Sequence, residues 1–291
     1  MAVLNVNFFS NALFRIVPVT VVLPTDKVLP TDKVLPGEQT YQSPRLYKTL
    51  YLLHGLRGNN TAWVNGTRIQ ALANERNLCV VMPSGDNKFY ADSSRSADYY
   101  GKFLTEDLIA FAENSFPLSR RREDRFIAGL SMGGFGALTN GLRHPELYSH
   151  IAALSSALIK ERILRAKEGP LTDQDYAAND YFNRAAYETM FDLDSIQDFE
   201  NSECDYEFLA RRVAKRPDKP EIFLCCGTED SLLGYNRAYR DLLTGLGYSL
   251  RYEESAGDHT WAYWDYAIER VLDWLPLEDR RAGITSEEPH C

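Results

Sequence analysis

The fold of this chain is decided by residues 125–139, which read RFIAGLSMGGFGALT. The apolar run Arg125–Ala128 predicts a β-strand, and the small-residue pattern from Gly134 onward predicts a helix. Between them lies the pattern Gly-x-Ser-x-Gly, with Ser131 at its centre. A strand, a sharp turn and a helix form the context in which such a serine exposes a nucleophilic hydroxyl, and its flanking glycines avoid a steric collision. The helix N-terminus also offers free N–H groups to an oxyanion.

A base that takes the proton of this serine is the next requirement, because the five-residue pattern also occurs by chance, about once in ten chains of this length. In the α/β-hydrolase arrangement the order is serine, acid, histidine. Of the five histidines, His259 fits best. It lies in a glycine-containing loop after a strand-like run, 248–253, and before an aromatic-rich helix predicted over 261–274. His150 leaves no room for an acid-bearing strand, and His290 lies in a polar tail.

The acid is expected to follow a buried strand. Residues 221–227, EIFLCCG, form a continuous apolar run that ends in a turn, as buried parallel strands do. Asp230 comes directly afterwards and is the candidate acid; Glu229 is the alternative, since one register step exchanges them. Asp258 adjoins His259, but adjacent residues rarely direct a carboxylate at the Nδ1 of the next imidazole. We therefore expect Asp258 to cap the loop.

Two backbone N–H groups are expected to hold the oxyanion. One belongs to Met132, the residue after the nucleophile. The other is assigned to Leu56, in the loop HGLRG that follows the predicted strand Lys48–Leu53. His54 opens this loop, and we expect it to orient the loop rather than to perform acid–base chemistry.

Strand-like and helix-like segments alternate from about Lys48 to Trp274. This alternation predicts a doubly wound, mostly parallel α/β sheet, and the serine turn is typical of the α/β-hydrolase arrangement. We expect a single domain over residues 1–276 and a polar C-terminal tail over 277–291. Residues 157–215 are interpreted as a small cap or lid insertion, and a helical excursion that packs on the sheet edge is the alternative.

Composition excludes several classes of protein. A net charge of −9 and a pI of about 5.2 argue against a nucleic-acid partner. The chain has no apolar run of the roughly 18 residues that a spanning helix needs, and no signal peptide is recognised, so we expect no membrane association. The five cysteines show neither C-x-x-C nor Cys/His metal spacing, which predicts free thiols, a cytoplasmic location and no metal site.

Motifs spread along the chain accompany the serine turn. They are MAVLNV at 1–6, YLLHGL at 51–56, VVMP at 80–83, FYAD at 89–92, IAGLSMGG at 127–134, GTED at 227–230 and HTW at 259–261. In this combination, over about residues 1–275, the chain resembles bacterial tributyrin esterase-like members of the esterase D-like (putative esterase) family of α/β-hydrolases. The resemblance implies an α/β-hydrolase fold with antiparallel N-terminal strands. One departure is the repeated VLPTDK between Val22 and Pro36. We expect an extended surface loop there, because prolines at this spacing fit neither a helix nor a central strand.

The resemblance implies a serine carboxylesterase that hydrolyses small-molecule esters of short acyl chains, of the acetyl or butyryl type. Acetylated or feruloylated sugars are among the substrates of relatives, and no metal or organic cofactor is implied. S-formylglutathione hydrolysis is the alternative, acyl transfer to an alcohol is less favoured, and a non-catalytic module is the alternative from another class. A homo-oligomer is left open. Three motif aromatics, Trp63, Tyr90 and Trp261, are expected to contact the substrate, with ordinary core packing as their alternative.

Overall fold

The central feature of the fold is a sheet of eight strands. A computed structural model describes residues 1–25 and 46–277 of the chain. The strands are β1 (Ala2–Ser10), β2 (Arg15–Leu23), β3 (Lys48–Leu53), β4 (Leu78–Pro83), β5 (Arg125–Leu130), β6 (His150–Leu154), β7 (Glu221–Gly227) and β8 (Leu250–Ser255). Their order across the sheet is β1-β2-β4-β3-β5-β6-β7-β8. A separate two-stranded ribbon pairs Asp92–Ser93 with Asp98–Tyr99.

The sheet is antiparallel only at its N-terminal edge. Strand β1 pairs antiparallel with β2, and β2 antiparallel with β4, whereas all later neighbours pair in parallel. The predicted fold class, a mostly parallel α/β-hydrolase sheet with antiparallel N-terminal strands, is confirmed. The strand expected over 248–253 is observed as β8, slightly further along the chain.

Helices cover both faces of this sheet. They are α1 (Ala62–Gly66), α2 (Ile69–Glu75), α3 (Tyr100–Lys102), α4 (Leu108–Ser115), α5 (Met132–Arg143), α6 (Lys160–Leu164), α7 (Asp173–Ala177), α8 (Arg184–Met190), α9 (Tyr206–Val213), α10 (Leu233–Gly245) and α11 (Trp261–Trp274). A π-helical turn, Phe103–Asp107, joins α3 to α4, and short 3₁₀ turns lie at Arg122–Asp124 and Ile196–Phe199. The helix predicted over 261–274 matches α11.

The core has two apolar layers because side chains alternate along each buried strand. Leu50 and Leu52 face the layer that contains α2 and α11. Tyr51 and Leu53 face the opposite layer, with α5, α9 and α10. Burial of a leucine of this kind contributes about 1.5–3 kcal/mol of transfer free energy. The doubly wound arrangement thus follows from strands that are apolar on both faces.

The parallel strands end level with one another. Leu53 pairs with Gly129 and Gly129 pairs with Ala153, while Gly227 pairs with Ser255. The loops after β3, β5, β6, β7 and β8 therefore leave the sheet at one edge, which is where ligands bind in doubly wound proteins.

Between β6 and β7 the chain makes a long excursion, residues 157–215, through helices α6 to α9. Apolar side chains of this segment, including Ile163, Phe199 and Leu209, are buried in the same layer as α5. The excursion therefore packs directly on the sheet's helical layer.

Parts of two predictions fall outside the described residues: most of the VLPTDK repeat, and the polar tail beyond Leu277. Within residues 1–25 and 46–277, no helix combines the length and the apolar character needed to cross a bilayer.

Candidate active site

Ser131 occupies the turn between β5 and α5. Its backbone has φ 53° and ψ −119°, a region that a residue with a side chain adopts only under strain. Three backbone bonds hold it there: its N–H donates to Leu154 O at 2.9 Å, and its carbonyl accepts from the N–H groups of Phe135 at 3.1 Å and Ala157 at 3.0 Å. The strained serine is thus locked between two strand ends and a helix.

The two glycines of the pattern are required by close backbone approach. A Cβ atom on Gly129 would lie 2.3 Å from the carbonyl oxygen of Gly133. A Cβ atom on Gly133 would lie 2.4 Å from the carbonyl oxygen of Leu53. The turn therefore has no room for a side chain at either position, and this is why the Gly-x-Ser-x-Gly pattern requires glycine there.

His259 lies within hydrogen-bond distance of both proposed triad partners. Its Nε2 is 3.0 Å from Ser131 Oγ, and its Nδ1 is 2.8 Å from Asp230 Oδ2. Because a carboxylate only accepts, Nδ1 carries a proton and donates a hydrogen bond to Asp230 Oδ2. Nε2 is then free to accept the hydroxyl proton of Ser131. The side chain of His259 is 36% exposed, so substrate can reach it.

Asp230 is buried beneath this histidine. Its Oδ1 accepts the N–H of Leu232 at 2.8 Å while Oδ2 receives His259, so both oxygens are occupied. Burial acts to raise the pKa of Asp230, but the bond from His259 and the Leu232 N–H outweigh it, and the pKa lies below its usual value. The carboxylate therefore remains charged and holds the imidazole in one tautomer.

The neighbouring carboxylates have different partners. Glu229 accepts the N–H of Gly257 and the hydroxyl of Thr228, and the Gly257 bond is the main reason that the pKa of Glu229 is lowered. Glu229 thus braces the histidine loop instead of bonding the imidazole. Asp258 is exposed, and it is its backbone carbonyl that accepts the N–H of Thr260 at 2.9 Å. The expected cap of this loop is therefore made by main chain rather than by the carboxylate.

The two predicted oxyanion donors border the serine. Met132 is the first residue of α5, and Leu56 lines the cleft beside Ser131. In the described part of the chain, neither N–H has a hydrogen-bond acceptor. A Cβ atom on Gly55 would lie 3.2 Å from Ser131 Cβ, so the loop that carries Leu56 runs against the nucleophile. Both donors are therefore available to a bound ligand.

His54 has a structural environment. It is 1% exposed; its Nδ1 donates to Gly55 O at 2.7 Å, and its Nε2 accepts the N–H of Gly85 at 2.9 Å. Burial lowers the pKa of His54 and keeps the ring neutral. The imidazole joins the loop after β3 to the loop after β4, as expected for a residue that orients the Leu56 loop.

The cleft above Ser131 consists of two adjoining cavities. The inner lobe, of about 340 Å³, is mainly apolar and includes Phe89, Ala157, Ile159, Phe182, Tyr187 and Leu232. The outer lobe, of about 610 Å³, is more polar and includes Arg57, Asn59, Thr61, Asn65, Trp261 and Trp264. Ser131 and His259 border both lobes, so the hydroxyl faces the point where they meet.

The three aromatic residues expected to contact substrate have different positions. Trp261 lines the outer lobe. Trp63 is 1% exposed, its Nε1 donates to Leu53 O, and its ring supports Trp261 from below at a centroid distance of 5.5 Å. Tyr90 is fully buried, and its hydroxyl donates to His54 O at 3.0 Å. Trp63 and Tyr90 line neither lobe because both rings are buried, and their positions agree with the core packing that was their alternative.

Two further aromatic residues lie at the cleft. Phe89 and Tyr181 border the inner lobe. Phe89 has φ 51° and precedes Tyr90 with φ 55°; both rings are buried, but only Phe89 borders the inner lobe. The motif FYAD marked this place, but the side-chain directions follow from backbone dihedral angles that residue types do not reveal.

Metal coordination has no basis among residues 1–25 and 46–277, where no group of three or more His, Cys, Asp or Glu is placed to hold an ion. The chemistry of the cleft is that of a hydroxyl, an imidazole, a carboxylate and backbone N–H donors. This set is suited to acyl transfer through a covalent serine intermediate.

Comparison with known proteins agrees with this geometry. The family model described as "Putative esterase" matches residues 33–275. An acetyl esterase from Caldicellulosiruptor saccharolyticus is 36% identical over 276 residues, which cover 94% of this chain and 98% of the relative.

Solved structures support the same assignment. The substrate-bound fluorophosphonate-binding serine hydrolase F of Staphylococcus aureus has a TM-score of 0.77 and 28% identity, covering 96% of this chain and 99% of that one. An S-formylglutathione hydrolase from Staphylococcus aureus has a TM-score of 0.74 and 27% identity, covering 94% and 98%. The acetyl esterase and the serine hydrolase support the expected serine carboxylesterase activity, whereas the S-formylglutathione hydrolase agrees with the alternative. The chain is an ester hydrolase and belongs to the putative esterase family.

Proposed function

We propose that this protein is a serine carboxylesterase that hydrolyses short-chain acyl esters through Ser131, His259 and Asp230. The observation that carries the proposal is the unbroken chain of bonds from serine hydroxyl to imidazole to buried carboxylate, with distances of 3.0 Å and 2.8 Å. This is the arrangement in which a base can take the serine proton while an acid holds it in the productive tautomer.

In the proposed mechanism, Ser131 Oγ attacks the ester carbonyl carbon as His259 Nε2 takes the hydroxyl proton. The N–H groups of Leu56 and Met132 stabilise the tetrahedral oxyanion. The C–O bond to the alcohol then breaks, and His259 gives its proton to the leaving oxygen. Water, deprotonated by the same imidazole, attacks the acyl-enzyme and releases the carboxylic acid and the free serine.

The two lobes support a division of the substrate. The inner lobe is small and apolar, which suits a short acyl chain, and the outer lobe is wider and lined by polar side chains, which suits an alcohol with hydroxyl groups. The similarity to an acetyl esterase supports the same size of acyl group. We therefore propose acetyl or butyryl esters, including those of acetylated sugars, as the substrate class.

We further propose that residues 157–215 act as a cap within a single domain that ends near residue 276. Arg162, Asn179, Tyr181, Phe182 and Tyr187 all come from this excursion and form one wall of the inner lobe. Such a wall excludes water from the acyl group.

Thioester hydrolysis is the second candidate function. Its support is Arg57, an exposed guanidinium in the outer lobe that has no carboxylate partner among the residues described. A cation at this place would attract the carboxylates of S-formylglutathione, whose sulfur would then be the leaving atom. The similarity to an S-formylglutathione hydrolase points in the same direction.

Steady-state kinetics on aryl acetate, aryl butyrate and S-formylglutathione would test both candidates, with Ser131→Ala measured alongside. Ester turnover that is lost in the variant supports the carboxylesterase, and dominant thioester turnover supports the second candidate. Turnover that persists in Ser131→Ala, or absent labelling of the wild-type serine by a fluorophosphonate, would contradict both.

A further inference from the structure

Tyr181 borders the cleft, but the proposed reaction assigns it no role. Among the described residues, four border both lobes: Leu56, Ser131, Tyr181 and His259. The other three are the proposed oxyanion donor, the nucleophile and the base. Tyr181 lies on the segment between α7 and α8, and its side chain is placed where the two lobes meet.

Local contacts hold this segment in place. Tyr181 Oη donates to Asn179 Oδ1 at 2.8 Å, and Asn179 has φ 62°, a left-handed conformation that asparagine tolerates. The next residue, Phe182, packs against Phe89 at a centroid distance of 6.1 Å and against Tyr187 at 5.5 Å. Phe182 thus anchors the segment to the wall of the inner lobe while Tyr181 extends over the cleft.

A contact across the cleft fixes the Tyr181 ring. The guanidinium carbon of Arg57 lies 4.8 Å from the ring centroid, within the range of a cation–π interaction. Arg57 follows Leu56 directly, and its own N–H donates to Asn87 Oδ1 at 2.8 Å. The Arg57–Tyr181 pair therefore joins the helical excursion to the loop that carries the oxyanion donor.

We propose that Tyr181 is a specificity-determining residue: its ring separates the acyl lobe from the alcohol lobe and limits the bulk of the group accepted in each. The inference rests on the proposed function. Its physical basis is that a large, half-buried ring at the junction of two cavities reduces the space in both, and that the cation–π contact with Arg57 favours this position of the ring. A residue that lines a single lobe can restrict only one half of the substrate.

The test uses two series of neutral esters and kcat/KM. One series keeps the 4-nitrophenyl alcohol and lengthens the acyl chain from acetate to octanoate; the other keeps acetate and enlarges the alcohol from phenyl to 2-naphthyl. Tyr181→Ala is expected to raise the bulky-to-small ratio by about tenfold in both series, because a few methylenes of added space are worth at least this much. The kcat for phenyl acetate is measured alongside, because a loss shared by all esters is distinct from a change in these ratios.

Matched variants separate the two lobes. Phe182→Ala is expected to change the acyl series alone, and Trp261→Ala the alcohol series alone. Tyr181→Phe keeps the ring and should keep the wild-type ratios. Arg57→Met frees the ring and should shift both ratios by about two- to fivefold, the size of an exposed cation–π contact. Tyr176→Ala, at an exposed tyrosine of the same excursion, is the control for loss of a surface aromatic.

Ratios in Tyr181→Ala that equal those of wild type, or that change in one series only, would overturn the inference. An equal loss of kcat on every ester would also overturn it, because that result indicates a disturbed catalytic loop rather than a partition. Ser131→Ala distinguishes a failure of the proposed function from a failure of the role of Tyr181. If wild type and Ser131→Ala do not differ, the proposed function itself fails; if they differ while Tyr181→Ala matches wild type, only the role of Tyr181 fails.

Discussion

The histidine loop after β3 and the histidine loop after β8 leave the sheet at the same edge, yet their imidazoles have different partners. His54 is 1% exposed, and both of its ring nitrogens bond to backbone groups. The His259 side chain is 36% exposed, and its nitrogens face a carboxylate and a hydroxyl. The partners of an imidazole, rather than its place at this edge of the sheet, thus determine whether it can move a proton.

Removal of Ser131 or His259, the groups proposed to move the proton, has the largest expected effect. Ser131→Ala or His259→Ala should each lower kcat by about 10⁶-fold, because serine and histidine act as one unit. Both changes are near the cleft surface, so circular dichroism should show an intact fold. A variant that keeps more than a tenth of wild-type kcat on aryl acetate would remove that residue from the mechanism.

The second largest effect on kcat is expected at Asp230, the carboxylate that bonds His259. Asp230→Asn should lower kcat by about 10⁴-fold, because an amide at this position favours the wrong tautomer of His259. The measurement is kcat on aryl acetate at neutral pH. The matched control is Glu229→Gln, the same chemical change at the adjacent residue, and a larger loss there than in Asp230→Asn would exchange the two assignments.

The structural histidine should act through the oxyanion loop. His54→Ala leaves Gly55 O and Gly85 N–H without their partner, which costs about 1–3 kcal/mol for each buried group. Displacement of the Leu56 donor should also lower kcat by about 10²- to 10³-fold with little change in KM. Thermal unfolding and steady-state kinetics measure the two effects. A variant with lower stability but wild-type kcat would show that His54 does not position the oxyanion loop.

Protonation offers a smaller and graded test of the same residue. Burial lowers the pKa of His54 from 6.5, so the unfolded chain binds a proton that the folded ring does not accept. The stability that this neutral ring contributes is present above pH 6.5 and is lost as the pH falls through that value toward the lowered pKa. Urea unfolding at pH 7, 6 and 5 should therefore show a steeper decline in wild type than in His54→Gln. The other histidines are common to both proteins, and equal slopes would show that folding does not lower the pKa of His54.

The smallest effect is expected at Glu229, which accepts the Gly257 N–H in the loop that carries His259. Glu229→Gln keeps the length of the side chain but weakens the bond to the Gly257 N–H, and it leaves the Asp230–His259 bond untouched. We expect a loss of kcat of less than tenfold, and of similar size on every ester. No change at all would show that the loop is held by its backbone bonds alone.

Much of the fold could be predicted because its signals are local. Apolar runs buried on both faces specified β3, β5 and β7, and the glycines around Ser131 specified the turn, since only glycine fits where Gly129 and Gly133 approach the main chain. The position of an acid after β7 and of a histidine before α11 followed from chain order.

Side-chain direction could not be predicted in the same way. Whether Glu229 or Asp230 meets the imidazole depends on a single step of the turn after β7. Trp63 and Trp261 are alike in the sequence, but one supports the other from below, and only Trp261 reaches the cleft. These outcomes depend on which surfaces pack together, and that is decided by distant parts of the chain.

By itself, then, the sequence determined the order of strands and helices, the strained serine turn and the residue types available for catalysis, because these depend on periodicity and on the steric needs of neighbouring residues. Only the tertiary structure decided which carboxylate bonds His259, which aromatic rings face substrate and how Tyr181 comes to lie against Arg57. The reason is physical: strand register and the packing of the excursion over residues 157–215 bring together groups whose separation along the chain carries no information about their separation in space.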